Sequence, residues 1–146
     1  MLISPKDSNL ISYQQGWHTE LEGNPLSPHR WSINVDASIQ IPKLSPSPLR
    51  KGLIHVELDA IPYIPPRGPG HQDALIFLDG SLVCCFRLYD GDVKTFSGYF
   101  SNPTNNNFFS QIRIYLPQST KPSMVGDGLD ERQLGIGIKK LIIELT

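Results

Sequence analysis

The sequence predicts an all-β fold, an antiparallel β-sandwich or jelly roll. Thirteen prolines and twelve glycines divide the 146 residues into short pieces, which argues against long helices. Between these breaks, apolar and polar residues alternate with the period of two that is typical of half-buried strands. About seven or eight such strands, each of roughly 5–9 residues, favour two facing antiparallel sheets.

The predicted strands follow one another between loops that are rich in proline, glycine, serine and asparagine. The strands are residues 32–41, 53–61, 74–78, 81–88, 94–100, 111–116 and 134–145. The loops are residues 43–50, 62–70 and 101–107, and residues 5–15 carry a weak helical signal. The dipeptide Asp79-Gly80 suits the positive φ angles of a type I′ turn, so it predicts a hairpin. An oligonucleotide-binding barrel is the competing fold, but it typically carries more basic and aromatic side chains on one strand pair.

Length and charge limit the class of protein further. The chain is long enough for one domain, residues 1–146, in which residues 1–15 could form an irregular N-terminal arm. A domain of this size buries roughly 68–70% of the surface of its unfolded state, which is enough for a single core. Thirteen basic and fourteen acidic side chains leave a net charge of −1. Because a nearly neutral protein has no electrostatic attraction for a polyanion, we expect no nucleic-acid partner.

The two cysteines, Cys84 and Cys85, are adjacent within a predicted strand. Neighbouring strand residues point to opposite faces, so we expect two free thiols. Residues 1–10 lack the cationic start and apolar core of a signal peptide, and no window approaches the roughly eighteen apolar residues of a membrane span. The sequence therefore predicts no membrane span and a cytoplasmic location.

Enzyme motifs are missing or incomplete, so we expect neither catalysis nor a cofactor. The chain has no G-x-S-x-G elbow, no G-x-G-x-x-G and no P-loop. His55, Glu57 and Asp59 alternate in a predicted strand, and such residues lie about 7 Å apart, which is too wide for three ligands of one small ion. We interpret them as an exposed polar sheet face rather than a metal site or a glycosidase carboxylate pair. The four histidines also include no H-x-H pair of the kind a cupin metal site uses.

The chain does contain rings and polar groups of the kind that sugar sites use. A sugar has apolar C–H faces and a rim of hydroxyls, so its sites combine a flat ring with planar hydrogen-bonding groups. The candidate rings are Trp17, Trp31, Tyr63, Tyr89, Tyr99 and Tyr115. The candidate polar partners are Glu20, Arg30, Asn34, Arg113, Asp130 and Arg132. For the two tryptophans, packing at the end of the sandwich is the alternative to stacking on a ligand.

Several stretches of the chain resemble a known kind of module. Residues 16–23 read GWHTELEG, residues 29–41 read HRWSINVDASIQI, and residues 130–143 read DERQLGIGIKKLII. With the FLDG hairpin at residues 77–80, this order resembles a carbohydrate-binding-module-like accessory domain associated with bacterial surface-polysaccharide glycosyltransferases. The resemblance spans about residues 16–145 and implies a galactose-binding-like jelly roll.

The resemblance implies a non-catalytic module that binds a glycan or polysaccharide weakly, with a glycosyltransferase as a further partner. The predicted ligand-binding residues are Glu20, Arg30, Trp31 and Arg132, at an end of the sandwich where loops converge. For Arg132, the alternative is an ion pair with Glu20 or Asp130 that fixes its loop against the sandwich. For the whole chain, the alternative is a structural β-sandwich that self-associates through an outer face or through a sheet edge at residues 141–146.

Overall fold

The structure, a computed structural model, describes residues 2–3, 12–41, 53–89, 92–101 and 111–145. These residues form ten β-strands and one short 3₁₀ helix, Pro122–Val125. The strands are β1 (Leu2–Ile3), β2 (Ser12–Tyr13), β3 (Arg30–Trp31), β4 (Asp36–Gln40), β5 (Leu53–Pro62), β6 (His71–Leu78), β7 (Ser81–Tyr89), β8 (Lys94–Ser101), β9 (Gln111–Tyr115) and β10 (Ile136–Leu145). No helical segment in this described part of the chain has the length and apolar character that crossing a membrane requires.

The strands form two five-stranded antiparallel sheets, which confirms the predicted sandwich. Sheet I has the order β1-β10-β5-β8, and β3 pairs with β10 as well. Sheet II has the order β2-β4-β9-β6-β7. Four of the predicted strands, at residues 53–61, 81–88, 94–100 and 111–116, match β5, β7, β8 and β9 to within one residue at each end.

Alternate side chains of the strands meet between the two sheets and form the core. In β5, every second residue from Ile54 to Ala60 is fully buried. Phe86 of β7 lies 5.6 Å from Phe96 and 6.1 Å from Phe100 of β8, measured between ring centroids, and these contacts join the sheets along one side. Burial of apolar side chains from both layers is the main source of stability in such a fold.

Trp17 belongs to this core, with 6% of its surface exposed. The indole Nε1 donates a hydrogen bond to the carbonyl oxygen of Ser38 (2.9 Å), and the Tyr13 ring packs edge-on at 5.2 Å between centroids. The one polar atom of the indole is therefore satisfied inside the protein. Trp17 therefore packs in the core and is not available to stack on a ligand.

The predicted strand at residues 32–41 is correct only in its second half, because within it only β4 is a strand and residues 32–35 are not. β3 ends at Trp31 and pairs with β10 in sheet I, whereas β4 begins at Asp36 and pairs with β9 in sheet II. The chain crosses between the sheets at residues 32–35, where the Asn34 side-chain oxygen accepts a hydrogen bond from the Val35 amide (2.8 Å). Ile33 and Val35 continue the apolar alternation through the crossing although they are only partly buried, and this hides the crossing in the sequence.

The core-facing residues of β10 change from even-numbered to odd-numbered positions partway along the strand. Ile138 is buried before Lys139, whereas Leu141 and Ile143 are buried after it. A β-bulge between Ile138 and Lys140 accommodates the change, because Lys139 has no opposite residue in β5. Both halves of the strand therefore face the core.

β10 lies inside sheet I, which contradicts the predicted pairing edge at residues 141–146. One side of the strand pairs with β5 from Ile136 to Leu145, and the other side pairs with β3 and β1. Leu141 and Ile142 are therefore paired on both sides, with β5 and with β1. Residue 146 lies outside the described residues.

The hairpin between β6 and β7 turns at Asp79-Gly80 as predicted. Asp79 has a φ angle of 45° and Gly80 a φ angle of 86°, which are the positive values of a type I′ turn.

The two cysteines of β7 are free thiols, as predicted, and they point to opposite faces of the strand. Cys84 is buried in the core and Cys85 is exposed. Burial raises the pKa of Cys84 to about 12.

The N-terminal part joins both sheets through two short strands. β1 pairs with β10, and β2 pairs with β4, which is also held by a hydrogen bond from the Gln14 amide to the Ser38 carbonyl (2.8 Å). Residues 12–15 are therefore not helical, because pairing with β4 outweighs a weak local preference. Residues 4–11, the predicted loop at 43–50 and residues 102–107 lie outside the described residues.

Candidate functional site

Three long connections meet at one end of the sandwich, which we call the loop end. It comprises residues 16–29, residues 63–70 and residues 116–135. Backbone hydrogen bonds fix these segments, from Tyr63 N to the Gly135 carbonyl (2.8 Å) and from Thr120 N to the Leu134 carbonyl (3.0 Å). Loops that are held on a rigid scaffold in this way commonly carry binding residues.

Trp31 lies at the loop end, on the outer face of sheet I beside Gly137 of β10, and is partly exposed. The His29 ring packs edge-on against the indole, with 5.3 Å between centroids. This contact depends on two glycines, because a Cβ at Gly23 or at Gly137 would lie 2.7 Å from an atom of the His29 ring. His29 thus fills the space that both glycines leave, and it holds the indole in place.

The environment of His29 keeps its imidazole neutral at pH 7. Burial lowers the pKa of His29 below its ordinary value of 6.5, the Glu22 carboxylate opposes this shift, and the Lys139 ammonium adds to it. Lys139 Nζ also donates hydrogen bonds to the carbonyl (2.9 Å) and the hydroxyl (3.1 Å) of Ser27. The Lys139 ammonium therefore lies close enough to His29 to affect its protonation.

Arg132 is the centre of an ion-pair cluster at the loop end. Its Nη2 lies 2.7 Å from Asp130 Oδ2, and its Nη1 lies 2.7 Å from Glu22 Oε1. Asp130 Oδ1 also accepts hydrogen bonds from the Arg132 amide (2.9 Å) and Nε (3.1 Å). These hydrogen bonds raise the pKa of Arg132 and lower the pKa of Asp130 from their ordinary values.

The predicted Arg132–Asp130 ion pair is confirmed, whereas the second acid is Glu22 rather than Glu20. Backbone hydrogen bonds of 3.0 Å in both directions between Glu22 and His29 place the Glu22 side chain opposite Arg132. The same hairpin carries His29 against Trp31. Two of the four predicted site residues, Trp31 and Arg132, are thus joined by a short chain of contacts.

Arg30 and Glu20, the other two predicted site residues, make separate contacts on the segment around His18 and Thr19. The Arg30 Nη1 atom donates hydrogen bonds to the carbonyl oxygens of His18 (2.7 Å) and Thr19 (3.1 Å), and its guanidinium carbon lies 4.7 Å from the centroid of the Tyr13 ring. Glu20 is exposed, and its amide lies 3.3 Å from His18 Nδ1. Arg30 therefore fixes the segment that presents Glu20 to solvent.

The outer sheet faces carry further polar groups. On sheet I, Lys140 Nζ lies 2.8 Å from Glu57 Oε1 and 3.4 Å from Asp59 Oδ2. This is the polar face predicted from the alternation, although the Glu57 and Asp59 side chains are half-buried rather than exposed. On sheet II, Arg87 donates two hydrogen bonds to Asp73, of 2.7 Å and 3.1 Å. Across the described ranges, no group of three or more His, Cys, Asp or Glu side chains is placed to hold a metal ion.

The layering and strand order define a jelly roll of the galactose-binding-like class, and solved structures share it. CsCBM6-3 from Clostridium stercorarium, in complex with cellobiose, matches with a TM-score of 0.57 at 10% identity over 100% of this chain and 94% of that chain. A family 35 carbohydrate binding module from an environmental isolate matches with a TM-score of 0.58 at 10% identity, over 99% and 92% of the chains. The CBM22-2 xylan-binding domain from Paenibacillus barcinonensis Xyn10C matches with a TM-score of 0.52 at 12% identity, over 100% and 99%.

These similarities concern the fold alone, because identities of 10–12% say nothing about individual site residues. No protein-family model and no curated protein matches the sequence.

Sequence reasoning missed the roles of Glu22 and His29. The available signal was the pair of glycines at residues 23 and 137, which marks places where something packs directly on the backbone. The sequence does not say which ring occupies that space, since His29 and Gly137 are distant in the chain.

Proposed function

We propose that the chain is a non-catalytic glycan-binding module whose site is the loop end. The partly exposed indole of Trp31 carries the proposal, because it stands on a fixed backbone beside the Glu22–Arg132–Asp130 cluster. The carbohydrate-binding modules that share the fold support it. An indole stacks on the apolar face of a sugar ring, and carboxylates and a guanidinium bond its hydroxyls.

Each of the predicted residues has a separate part in this site. Trp31 supplies the stacking surface, and Arg132 with its two acids supplies hydrogen-bond donors and acceptors at one side of it. Glu20, on the neighbouring segment, accepts hydrogen bonds from sugar hydroxyls. Arg30 acts indirectly, because its hydrogen bond to the His18 carbonyl positions that segment.

Binding at such a site is weak, with a dissociation constant on the order of 0.1–1 mM. The loop end is open, so it excludes little water, and a flexible sugar chain loses conformational freedom when it binds. A module of this kind acts by keeping a polymer near another domain, which raises the effective concentration of the polymer.

The same proposal includes a partner enzyme and a cellular location. The resemblance of residues 16–23, 29–41 and 130–143 supports association with a glycosyltransferase of bacterial surface-polysaccharide synthesis, on the cytoplasmic side. Co-purification with such an enzyme from a bacterial host tests the partner, and fractionation of the same cells tests the place.

Titration with a panel of bacterial polysaccharide fragments tests the site, with tryptophan fluorescence and calorimetry as readouts. We expect at least one fragment to bind, and we expect Trp31→Ala to lower its affinity at least tenfold because the stacking surface is lost. Trp31→Phe should retain part of the affinity. Glu20→Gln should weaken binding a few-fold without changing the melting temperature, since the side chain is exposed.

The control is Leu82→Ala, which removes an exposed apolar side chain (50%) from β7 beside the Asp79-Gly80 turn, at the end of sheet II opposite the loop end. It should bind as the unmodified protein does. A silent calorimeter across the whole panel, or equal binding by Trp31→Ala and the unmodified protein, would contradict the proposal.

Self-association through an outer face is the second candidate, and one observation favours it. The outer face of sheet II exposes Tyr89 and places the Arg113 guanidinium carbon 4.3 Å from the centroid of the Phe77 ring. Aromatic and arginine side chains are enriched in protein interfaces. Light scattering separates the two functions, because a stable dimer with no glycan response favours assembly.

A further inference from the structure

The outer face of sheet I, beyond the loop end, presents three aligned rows of side chains from β8, β5 and β10. The rows are Tyr99, His55 and Glu144, then Ser97, Glu57 and Ile142, then Thr95, Asp59 and Lys140. These residues face outward because they alternate with the buried residues of the same strands. With strands about 4.8 Å apart and rows about 7 Å apart, the grid measures roughly 10 Å by 14 Å. This area is large enough for a short oligosaccharide.

The first row forms an aromatic platform. Tyr99 is 65% exposed, and its ring stacks on His55 with 4.7 Å between centroids and 25° between planes. His55 is itself fixed, since its Nε2 lies 3.0 Å from Ser97 Oγ and its Nδ1 lies 3.5 Å from Glu144 Oε2. The tyrosine ring is therefore supported from beneath and held in one orientation. A fixed, exposed ring can stack on a sugar at little cost in side-chain entropy.

The remaining groups give the face a surplus of negative charge. Glu144 is 48% exposed, and Glu57 and Asp59 share a single ammonium, Lys140. Asp59 Oδ1 is buried and forms no hydrogen bond with any described residue. Three carboxylates thus face one lysine, so the grid is net negative whether or not His55 is protonated. Ionised carboxylates only accept hydrogen bonds, so this face needs a ligand that donates them.

We propose that this face is a second carbohydrate subsite, for oligosaccharides that carry protonated amino groups. The sugar ring stacks on Tyr99, and an ammonium group binds the Glu144 carboxylate beside that ring. A charge-assisted hydrogen bond of this kind is roughly twice as strong as a neutral one, and an ammonium over a tyrosine ring gains a cation–π interaction as well. The subsite is separate from the loop end, and it adds a charge preference that the loop end does not imply.

A pair of probes that differ only in charge tests the proposal on the whole chain. The probes are a tetramer of glucosamine and the fully N-acetylated tetramer, titrated by calorimetry at pH 6 in low salt. We expect the glucosamine tetramer to bind at least tenfold more tightly than the acetylated one. Tyr99→Ala should lower that affinity at least tenfold, Tyr99→Phe should keep most of it, and Glu144→Gln should lower it at least fivefold.

Two controls separate this subsite from simpler explanations. Trp31→Ala should bind the glucosamine tetramer as the unmodified protein does, so failure of the loop-end proposal and failure of this one are distinguishable. Tetralysine tests attraction by charge alone, and we expect it to bind at least tenfold more weakly. Equal binding of both sugar tetramers, equal binding of tetralysine, or unchanged binding by folded Tyr99→Ala and Glu144→Gln would overturn the proposal.

Discussion

Gly16 shows how closely the backbone segments approach one another at the loop end. Its φ angle is +84°, and a Cβ at this position would collide with the carbonyl oxygen of Asp36. The Gly16 carbonyl in turn accepts a hydrogen bond from the Ile33 amide (2.7 Å). This glycine therefore joins the start of residues 16–29 to the crossing between the sheets, and only glycine fits there.

We expect Gly16→Ala to lower the free energy of unfolding by about 3 kcal/mol or more. A positive φ angle costs a non-glycine residue about 1–2 kcal/mol, and the collision with backbone adds to that cost. Gly80→Ala is the matched control, because Gly80 has a φ angle of +86° and no atom lies within 4 Å of the position that a Cβ would occupy. It should cost only about 1–2 kcal/mol. Urea unfolding curves that give both variants equal stability would contradict this account.

At the scale of single elements, the bulge in β10 makes an unusual deletion tolerable. Removing Lys139 leaves Ile138, Lys140 and Leu141 in plain alternation, so Ile138 and Leu141 still face the core. We expect the shortened protein to fold cooperatively. It should lose about 1 kcal/mol with the hydrogen bonds from Lys139 to Ser27. Circular dichroism and a single thermal transition check this outcome.

Deletion of Ile142 is the matched control for the same strand. It turns Ile143 outward and Glu144 inward, because a shift of one residue moves every later side chain to the opposite face. We expect this variant to be unfolded or aggregated. If both deletions behave alike, the bulge does not set the register.

The elements that the sequence predicted well are those with a strong local pattern. β5 and the Asp79-Gly80 hairpin are readable because alternation and turn chemistry act over a few residues. β1 and β2 have two residues each, so they exist only through pairing with β10 and β4. Asp130 and Arg132 are two residues apart and could be paired from the sequence, whereas Glu22 lies 110 residues from Arg132. Contacts of that separation are set by topology, which a single sequence does not display.

At the scale of the whole molecule, acid should weaken the fold through two carboxylates. Hydrogen bonding to Arg87 lowers the pKa of Asp73, and hydrogen bonding to Arg132 lowers the pKa of Asp130, from an ordinary value of 3.8. A carboxyl whose pKa is lowered in the folded state stabilises that state fully above its unfolded value. The stabilisation is lost as the pH falls through the lowered pKa, because protons then bind the unfolded chain preferentially.

We therefore expect the free energy of unfolding to fall steeply below about pH 4. Between pH 7 and about pH 5 it should fall only slightly, because the lowered pKa of His29 makes the unfolded chain bind that proton first. Asp73→Asn should be less stable at pH 7. It should lose less stability on acidification, because the asparagine takes up no proton when the chain unfolds in acid. Glu131→Gln, at an exposed acid, should follow the unmodified protein. Urea titrations at pH 7, 5, 4 and 3 measure this, and a flat profile down to pH 3 would be incompatible with it.

The opposed thiols of β7 have a practical consequence for testing the proposed Tyr99 subsite. Cys84 is buried with a raised pKa, so a maleimide reagent will couple at the exposed Cys85. Burial raises the pKa of Cys85 as well, so the coupling should be run under mildly alkaline conditions. Cys85 lies on the outer side of sheet II, opposite the Tyr99 face. An unmutated chain tethered to a sensor chip through this sulfur would be held in one orientation, with its Tyr99 face turned toward the flowing sample.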